Sequence, residues 1–450
     1  MVLEAYSAVL TFLTFFLGLT VGPYQVELAV DYQAATVELY LDEQLIGTAS
    51  GPPWTLSCDF GEALLPHKLV ARALDPDGQE LARATQWVNL PRAAAEATLV
   101  LTGGGEGIYK RAELAWQAND ERAPEKITAF LDGEPVAMLE GRTIHLPAYD
   151  PETIHILSAE LLFPGRQRAR AELVFGGQHG EVVGSELTAV PLTLPSGGAP
   201  PDASELERWL TVRGEPVRVV AVEQAPAEVM VVRSAASQEA LRHMGRQARA
   251  AIASRPPLGA ATDPILVSGL SETDGLRLVS SRPTWVEDAN GKPVALFPVS
   301  ENVNGEGLGV SWGVTHLFFD HNSQEEERLA EAVAVAALEA SATDRPRAVV
   351  VIRRGDKGVE ESLESENVRR FLRALRVPLV YWRVDEPISG AEDGWGEPRV
   401  VGRLAELNRS VQELANLLRP QFVAWIGGIH LPQDVELAEE GRRRIAFASE

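Results

Sequence analysis

The sequence AEVMVVRSAASQ, from Ala227 to Gln238, decides the fold of the second half of this chain. Its apolar run, Val229 to Val232, stops at Arg233, and small residues and then a helical pattern follow. This order predicts a buried strand, a short turn and a helix. A second copy of the pattern, RAVVVIRRGDKG, runs from Arg347 to Gly358. Ligands bind at the carboxyl ends of such strands in an open parallel sheet, so the two turns form the candidate site.

Strand and helix patterns alternate through the rest of the second half. Strands are predicted in VRVVAVEQ, GLRLVSS, VPLVYWRVDE and QFVAWIGGI, the last as an edge strand. Helices are predicted up to about Ser254, over Glu325 to Ala340, over Ser365 to Leu375 and from Glu406 to Leu418. This alternation predicts a largely parallel sheet covered on both faces, in a doubly wound α/β domain over residues 211–450.

The first half has the period-two alternation of β-strands. Apolar residues occupy every second position in YQVELAVDY and TVELYLDEQLIGTA, and GPPW, DFGE and DPDG mark turns. The segment ITAFLDGEPVAML then repeats VELYLDEQLIGTA. The repeat predicts two tandem β-sandwich domains, over residues 23–92 and 96–194, which resemble bacterial immunoglobulin-like modules. The segment LPSGGAPPDAS predicts a linker over residues 195–210.

An aspartate and a histidine recur at similar spacing within this repeat. Asp42 and His67 belong to the first copy, and Asp132 and His155 to the second. No further ligand type recurs beside either histidine, so both are interpreted as residues at the start of a strand.

The stretch from Ala5 to Gly22 contains no charged residue. A helix over it would span roughly 27 Å, which is enough to cross the apolar core of a bilayer. Residues 1–22 are therefore predicted to be a membrane anchor, with a cleaved signal peptide and a buried strand or core helix as alternatives. The apolar residues proposed for the anchor are Ala5, Leu10, Phe12, Phe15, Phe16 and Leu19.

The charge of the chain argues against binding to nucleic acid or to an anionic lipid surface. The sequence holds 64 acidic and 41 basic residues, for a formal net charge of −23. Both of those partners need a positive protein face. Cys58 is the one cysteine, so no intrachain disulfide is possible.

The order of elements from about Val217 to Ile429 resembles a von Willebrand factor type A domain. The resemblance rests on the strand–turn–helix unit, the long alanine-rich helix, RAVVVIRRGD, VPLVYWRV, the terminal helix and QFVAWIGG. In that family, an Asp-x-Ser-x-Ser turn and a later Thr-Asp-Gly turn hold a divalent cation at the metal-ion-dependent adhesion site. Such a site needs hard oxygen ligands.

This sequence departs from the family at the metal-ligating positions. Arg233 stands at the aspartate position and Ala235 at the first serine position, whereas Ser237 keeps its hydroxyl. In the later turn, Arg353 and Arg354 replace threonine and aspartate. Arginine keeps its positive charge and does not coordinate cations, so no family-type metal and no cofactor are predicted.

Two interpretations of these arginines stay open. In the first, the arginines pair with nearby acids, such as Asp356, Glu360 or Glu361, or face solvent. In the second, they accept a carboxylate of a protein partner directly. The candidate partner-binding residues are Arg233, Ser237, Arg354 and Asp356.

The sequence lacks His-Glu-x-x-His, and its Gly-x-Ser-x-Gly match, GVSWG from Gly309 to Gly313, lacks the strand–turn–helix setting of a hydrolase nucleophile. We therefore predict a non-enzymatic protein-interaction or scaffold protein, with the sandwiches as a stalk or docking surface. The N-terminal segment would place it on the periplasmic side of a bacterial membrane, or it would be secreted. An accessory subunit of a larger membrane complex is the first alternative, and a metal-dependent adhesion protein or hydrolase is the second.

Overall fold

A computed structural model describes most of the chain. The chain divides into two compact units. The described residues are 10–14, 16, 18–30, 34–90, 95–102, 109–118, 124–132, 134–139, 142–151, 153–162, 168–176, 187–224, 226–253, 270, 274–287, 293–300, 302, 309–316, 326–342, 345–355, 363–385 and 394–449. One unit comprises Met1–Pro91, Ala189–Ile426 and His430–Glu450, and the other comprises Arg92–Thr188 and Gly427–Ile429.

The first β-sandwich lies at the start of the larger unit. Its strands are β1 (Leu10–Phe12), β2 (Pro23–Val30), β3 (Thr36–Leu41), β4 (Gln44–Ala49), β5 (Thr55–Asp59), β6 (His67–Leu74) and β7 (Glu80–Val88). They form two antiparallel sheets, ordered β1-β2-β5 and β4-β3-β6-β7. The alternating apolar residues of both sheets, such as Val26 and Leu39, meet in one buried cluster.

The segment predicted to be a membrane anchor contributes to this sandwich. Strand β1 pairs antiparallel with the end of β2, and Leu10, Phe12 and Phe16 are buried in the sandwich core. Leu19 packs against the neighbouring core of the α/β domain. Ala5 and Phe15 lie outside the described residues.

The buried-strand alternative therefore replaces the predicted anchor helix over the described part of residues 1–22. The physical reason is that β2 offers these apolar side chains a protein surface to pack against. Among the residues that the structure describes, no helix has the length and apolar character needed to cross a membrane.

The second β-sandwich forms the smaller unit. Its strands are β8 (Ala95–Thr102), β9 (Arg111–Ala118), β10 (Lys126–Leu131), β11 (Glu134–Val136), β12 (Thr143–His145), β13 (Ile154–Leu162) and β14 (Arg168–Gly176). The sheets are ordered β11-β10-β13-β14 and β12-β9-β8. Residues of both sheets, such as Leu114 and Leu157, share one apolar core.

The repeated aspartate and histidine form the same contact in both sandwiches. His67 Nδ1 lies 2.7 Å from Asp42 Oδ2, and His155 Nδ1 lies 2.6 Å from Asp132 Oδ2. Both histidines are buried, and both aspartates have a left-handed backbone, with φ of 49° and 52°. The pair thus ties a turn to the start of a central strand in each copy.

The remaining elements belong to the larger unit from β15 onward. The strands are β15 (Leu187–Thr193), β16 (Leu210–Val212), β17 (Glu215–Pro216), β18 (Val219–Glu223), β19 (Glu228–Arg233), β20 (Gly275–Ser280), β21 (Thr284–Glu287), β22 (Pro293–Leu296), β23 (Arg347–Arg353), β24 (Leu379–Arg383), β25 (Arg399–Val400), β26 (Gln421–Gly427), β27 (Val435–Leu437) and β28 (Ala446–Phe447). The helices are α1 (Ala203–Trp209), α2 (Ala235–Ala253), α3 (Gly309–His316), α4 (Leu329–Ser341), α5 (Ser365–Ala374), α6 (Leu404–Leu418) and α7 (Glu439–Arg442), with a 3-10 helix at Pro432–Asp434.

A parallel sheet with helices on both faces forms the predicted α/β domain. Its strand order is β20-β19-β23-β24-β25, and every neighbouring pair is parallel. Helices α4 and α5 pack on one face, and α2, α3 and α6 pack on the other. The chain leaves β19 toward β20 on one side and later enters β23 on the other side. The carboxyl ends of β19 and β23 therefore form the topological switch point of the sheet.

Helix α4 packs closely on the sheet because its buried face consists mainly of alanine. Ala332, Ala336 and Ala337 are fully buried against β19 and β23. The buried guanidinium of Arg347 holds the ends of two helices, donating to the carbonyls of Ser341 and Leu375 at 3.3 Å each. A cation at helix carboxyl ends is favourable because the helix dipole is negative there.

Two strands predicted for the parallel sheet belong to a different sheet. Strands β18 and β26, which lie within VRVVAVEQ and QFVAWIGGI, pair antiparallel in a sheet ordered β18-β26-β15-β28. The predicted edge strand is therefore an inner strand, because β15 supplies it with a second neighbour. Helix α1 occupies part of the predicted linker, and its Leu206 and Trp209 are buried in the core beneath this sheet.

The first sandwich packs directly on the α/β domain. Leu64 is fully buried in the core that α4 and α5 share with the parallel sheet. Gln433 Nε2 donates to the Pro66 carbonyl at 2.9 Å, and Arg213 forms ion pairs with Glu43 and Asp434. This sandwich and the α/β domain thus belong to one compact unit.

Replacing Ala336 by leucine tests the close packing of α4. We expect Ala336→Leu to lower the free energy of unfolding of the larger unit by about 1–3 kcal/mol, because the sheet leaves no room for added methylenes. Urea titration followed by helical circular dichroism measures the change. Val335→Leu, at a half-buried position of the same helix, is the control, and it should lower the free energy of unfolding by less. Equal losses for both variants would contradict the packing described for α4.

The Asp132–His155 pair predicts a pH-dependent stability of the second sandwich. His155 Nδ1 faces a carboxylate and its Nε2 faces the Asp150 carbonyl at 2.7 Å. Both partners only accept hydrogen bonds, so the protonated imidazole, which has a proton on each ring nitrogen, is favoured at this position. Burial opposes protonation most strongly, but the contacts with Asp132 and Asp150 outweigh it, so the pKa of His155 is raised.

A raised pKa stabilises the folded state at low pH. The contribution is fully present below the unfolded pKa of about 6.5 and is lost as pH rises through the folded pKa. Asp132→Asn tolerates the left-handed backbone and should cost about 1 kcal/mol near pH 5.5 and less near pH 8.5. Hydrogen exchange of peptides from β13 and β14 measures this loss of stability at each pH. His145→Gln, at an exposed position, is the control. A loss of stability that does not depend on pH would contradict the proposed role of the Asp132–His155 pair.

Candidate functional site

The parallel register brings the two predicted turns together at the switch point. Arg233, the last residue of β19, is paired with Ile352 of β23, and Arg353 is paired with Arg383, the last residue of β24. Three neighbouring strands therefore end in arginine. We call this region, formed by the ends of β20, β19, β23 and β24 and the turns after them, the carboxyl edge.

The side chain of Arg233 points into the protein and not toward solvent. The residue is 3% exposed, and its Nη1 donates to the Val314 carbonyl of α3 at 2.6 Å. Burial, together with the positive charge of Arg242, lowers the pKa of Arg233 to about 9. Its guanidinium lies among the elements around the switch point, so a docked partner would not reach it.

Ser237 joins the turn after β19 to β23. Its hydroxyl donates to the Ser234 carbonyl at 2.7 Å and lies 3.2 Å from the Ile352 carbonyl. The backbone N–H of Ser234 also donates to Ile352, at 2.8 Å. Ser237 is fully buried, so the one hydroxyl that matches the metal-site pattern binds backbone carbonyls.

A carboxylate from a distant part of the sequence covers the start of α2. Glu327 Oε1 accepts a hydrogen bond from the Ala235 backbone N–H at 2.6 Å and from the Ser281 hydroxyl at 3.0 Å. The amino end of a helix carries partial positive charge, so a carboxylate is favourable there. The position next to the first turn is thus occupied by an internal acid.

Arg354 is the exposed cation of the second turn. It forms no hydrogen bond or ion pair with the part of the chain that the structure describes. The next residue, Gly355, has φ of 83°, and its N–H donates to Asp385 Oδ2 at 2.9 Å. The other oxygen of Asp385 accepts from Arg383 at 3.2 Å, so Asp385 fixes the turn that presents Arg354. Asp356 lies outside the described residues.

The carboxyl edge therefore combines several internal polar contacts with the exposed Arg354. Across the described ranges, no group of three histidine, cysteine or carboxylate side chains is arranged to hold a metal ion. Of the four predicted site residues, Arg233 and Ser237 lie together in the interior and Arg354 lies at the surface.

Sequence reasoning missed two acids at this edge. Asp385 lies two residues after the end of β24, so the rule applied to the turns after β19 and β23 would have found it. Glu327 carries no local signal, because only the tertiary structure brings the segment before α4 to the start of α2.

Comparison with known proteins places the chain in no family. No family model and no curated protein matches it. The solved structures that it is similar to include fibronectin(III)-like modules of Clostridium thermocellum CbhA, at 14% identity over 38% of this chain and 94% of that chain, with a TM-score of 0.16. The central fibronectin-III array of RIM-binding protein matches at 13% identity over 44% and 78% of the two chains, with a TM-score of 0.22.

A third similar structure carries a metal-ion-dependent adhesion site. It is proximal thread matrix protein 1 of the mussel byssus with a zinc-occupied site, at 11% identity over 44% of this chain and 48% of that chain, with a TM-score of 0.25. At these identities and TM-scores, none of the three assigns a function to this chain. The fold prediction is confirmed in outline: the chain is multidomain, with sandwich-like sheets followed by a parallel sheet with helices.

Metal titration tests the prediction that the carboxyl edge binds no divalent cation. We expect isothermal titration of Mg²⁺ or Mn²⁺ into the full chain to give no stoichiometric binding, because Arg233 brings a positive charge to the end of β19 and offers no oxygen ligand. The melting temperature should also be unchanged by the ions. A one-to-one binding isotherm that is lost in Ser237→Ala would contradict the prediction.

Proposed function

We propose that this chain is a non-enzymatic interaction protein whose α/β domain binds a carboxylate of a protein partner at the carboxyl edge. The observation that carries the proposal is the exposed Arg354, held at the end of β23 by the contact between Gly355 and Asp385. An arginine presented by a fixed turn suits bidentate recognition of a carboxylate.

The neighbouring contacts favour binding over catalysis. Ser237 uses its hydroxyl on backbone carbonyls, and Glu327 uses its carboxylate on the start of α2. Arg233 donates to the Val314 carbonyl in the interior. A reaction needs a nucleophile, acid or base within reach of a substrate, and these three groups are already engaged in the fold.

The charge of the chain narrows the class of partner. A net charge of −23 repels a strongly acidic protein at long range. A single aspartate, glutamate or C-terminal carboxylate on a neutral or basic surface fits Arg354 better. Such a contact is local, since charges separated by more than about 10 Å are largely screened at 0.1 M salt.

The periplasmic location, a scaffold role at a membrane, and the alternatives of an accessory subunit, adhesion protein or hydrolase remain predictions from the sequence. Purification from native membranes distinguishes the scaffold role from the accessory-subunit role. A companion set of fixed stoichiometry supports a subunit, and a free monomer opposes it.

A charge reversal at Arg354 tests the proposed contact. Affinity purification of the tagged full chain from its own cells should recover a partner of fixed stoichiometry. Arg354→Glu should weaken its binding by about tenfold or more, because two carboxylates would then face each other. Arg218→Glu, at an exposed position outside the carboxyl edge, should leave the binding unchanged.

The decisive arm is a reciprocal exchange of charge. A partner variant with arginine at the contacting acid should bind Arg354→Glu better than it binds the wild type. Partner binding that survives Arg354→Glu would refute the proposal, and so would turnover of a substrate that depends on Arg354.

A further inference from the structure

A cavity of about 190 Å³ opens beside α5 and the first half of β24, in a different place from the carboxyl edge. It is roughly the volume of six water molecules in the liquid. Helix α5 forms one wall, and the loop that leads into β25 forms the opposite wall. A space of this size holds one small molecule or a single side chain.

The floor of the cavity is formed by buried core residues. Leu372, Tyr381 and Trp395 line it, and all three are buried members of the core that α4 and α5 share with the sheet. Leu379 adds a half-buried apolar surface at the start of β24. Leu372, Tyr381 and Trp395 are at most 4% exposed, so the surface that the cavity offers to a ligand is mainly polar.

Two arginines, one helical turn apart on α5, provide the charge. Arg369 is half-buried, and its Nη1 donates to the Gly394 carbonyl at 3.3 Å. Gly396 has φ of 101°, and a Cβ at this position would lie 3.3 Å from the guanidinium carbon of Arg369. Glycine thus lets the loop approach the guanidinium and hold it in place.

The second arginine, Arg373, is exposed at the mouth of the same cavity. Within the described ranges it makes no hydrogen bond or ion pair, so its donors face solvent. Residues four apart on a helix lie on one face, which places Arg369 and Arg373 above the same floor. Glu397, the one acid among the lining residues, is exposed.

We propose that this cavity binds a small organic monocarboxylate. The carboxylate would lie between Arg369 and Arg373, and a small organic body would lie in the cavity beside the half-buried Leu379. Among the lining residues that the structure describes, two arginines and one glutamate leave a single positive charge, which one carboxylate neutralises. A dianion would add repulsion from Glu397. This proposal does not rest on the partner contact at Arg354.

Fluorine NMR of para-fluorobenzoate with the full chain tests the site. We expect binding with a dissociation constant on the order of 1 mM, as for other very small ligands. The neutral isostere para-fluorobenzamide should bind at least tenfold more weakly, because it cannot form the charged contact. Affinity for the benzoate should also fall as salt concentration rises.

Two neighbouring arginines of α5 provide matched variants. Arg373→Gln should weaken benzoate binding at least tenfold, whereas Arg370→Gln, exposed on the same helix but absent from the cavity wall, should not change it. Thermal melts establish that both variants are folded, as expected for exposed positions. Arg354→Glu should retain benzoate binding, so a failure of the partner contact is distinguishable from a failure of this site.

Three outcomes would each overturn the proposal. The first is no binding of the benzoate at millimolar concentration. The second is equal binding of benzoate and benzamide, which would make the site apolar only. The third is equal loss of affinity in Arg373→Gln and Arg370→Gln, which would mean general attraction to a positive helix.

Discussion

The parallel pairing of β19 with β23 is the constraint on which the α/β unit depends. Every residue of β19 is buried, as is every residue of β23 up to Ile352, so both faces of the pair must be covered by helices. The alanine face of α4 meets this need on one side, and the apolar residues of α2, α3 and α6 meet it on the other. The same register sets Arg233 beside Ile352, which forces the turns after both strands to meet.

The meeting of these turns explains the polar network at the carboxyl edge. Polar groups taken out of water lose stability unless they are hydrogen-bonded. Ser237, Glu327 and Arg233 satisfy that demand with backbone groups of β23, α2 and α3. A switch point that commonly receives a ligand is therefore closed by the chain's own groups, while Arg354 is exposed beside it.

Similar ties appear where the sandwiches turn. A buried histidine hydrogen-bonded to a left-handed aspartate fixes one turn against a central strand in each copy. The first sandwich is also joined to the α/β domain, since Leu64 lies in the core beneath α4. The repeated contact shows that the likeness between the two copies extends from strand pattern to side-chain geometry.

The sequence by itself determined the local structure: sandwich strands in the first half, and the strand–helix alternation of the second. The helix predicted over Ser365 to Leu375 is observed as α5 (Ser365–Ala374), because apolar periodicity reports which face of an element is buried. Periodicity does not report what covers that face. Only the tertiary structure placed Leu10–Phe12 against β2 instead of lipid, β26 in a second sheet, Glu327 on α2 and Arg373 over the cavity. Each of these depends on contacts between segments far apart in the chain, which local composition does not encode.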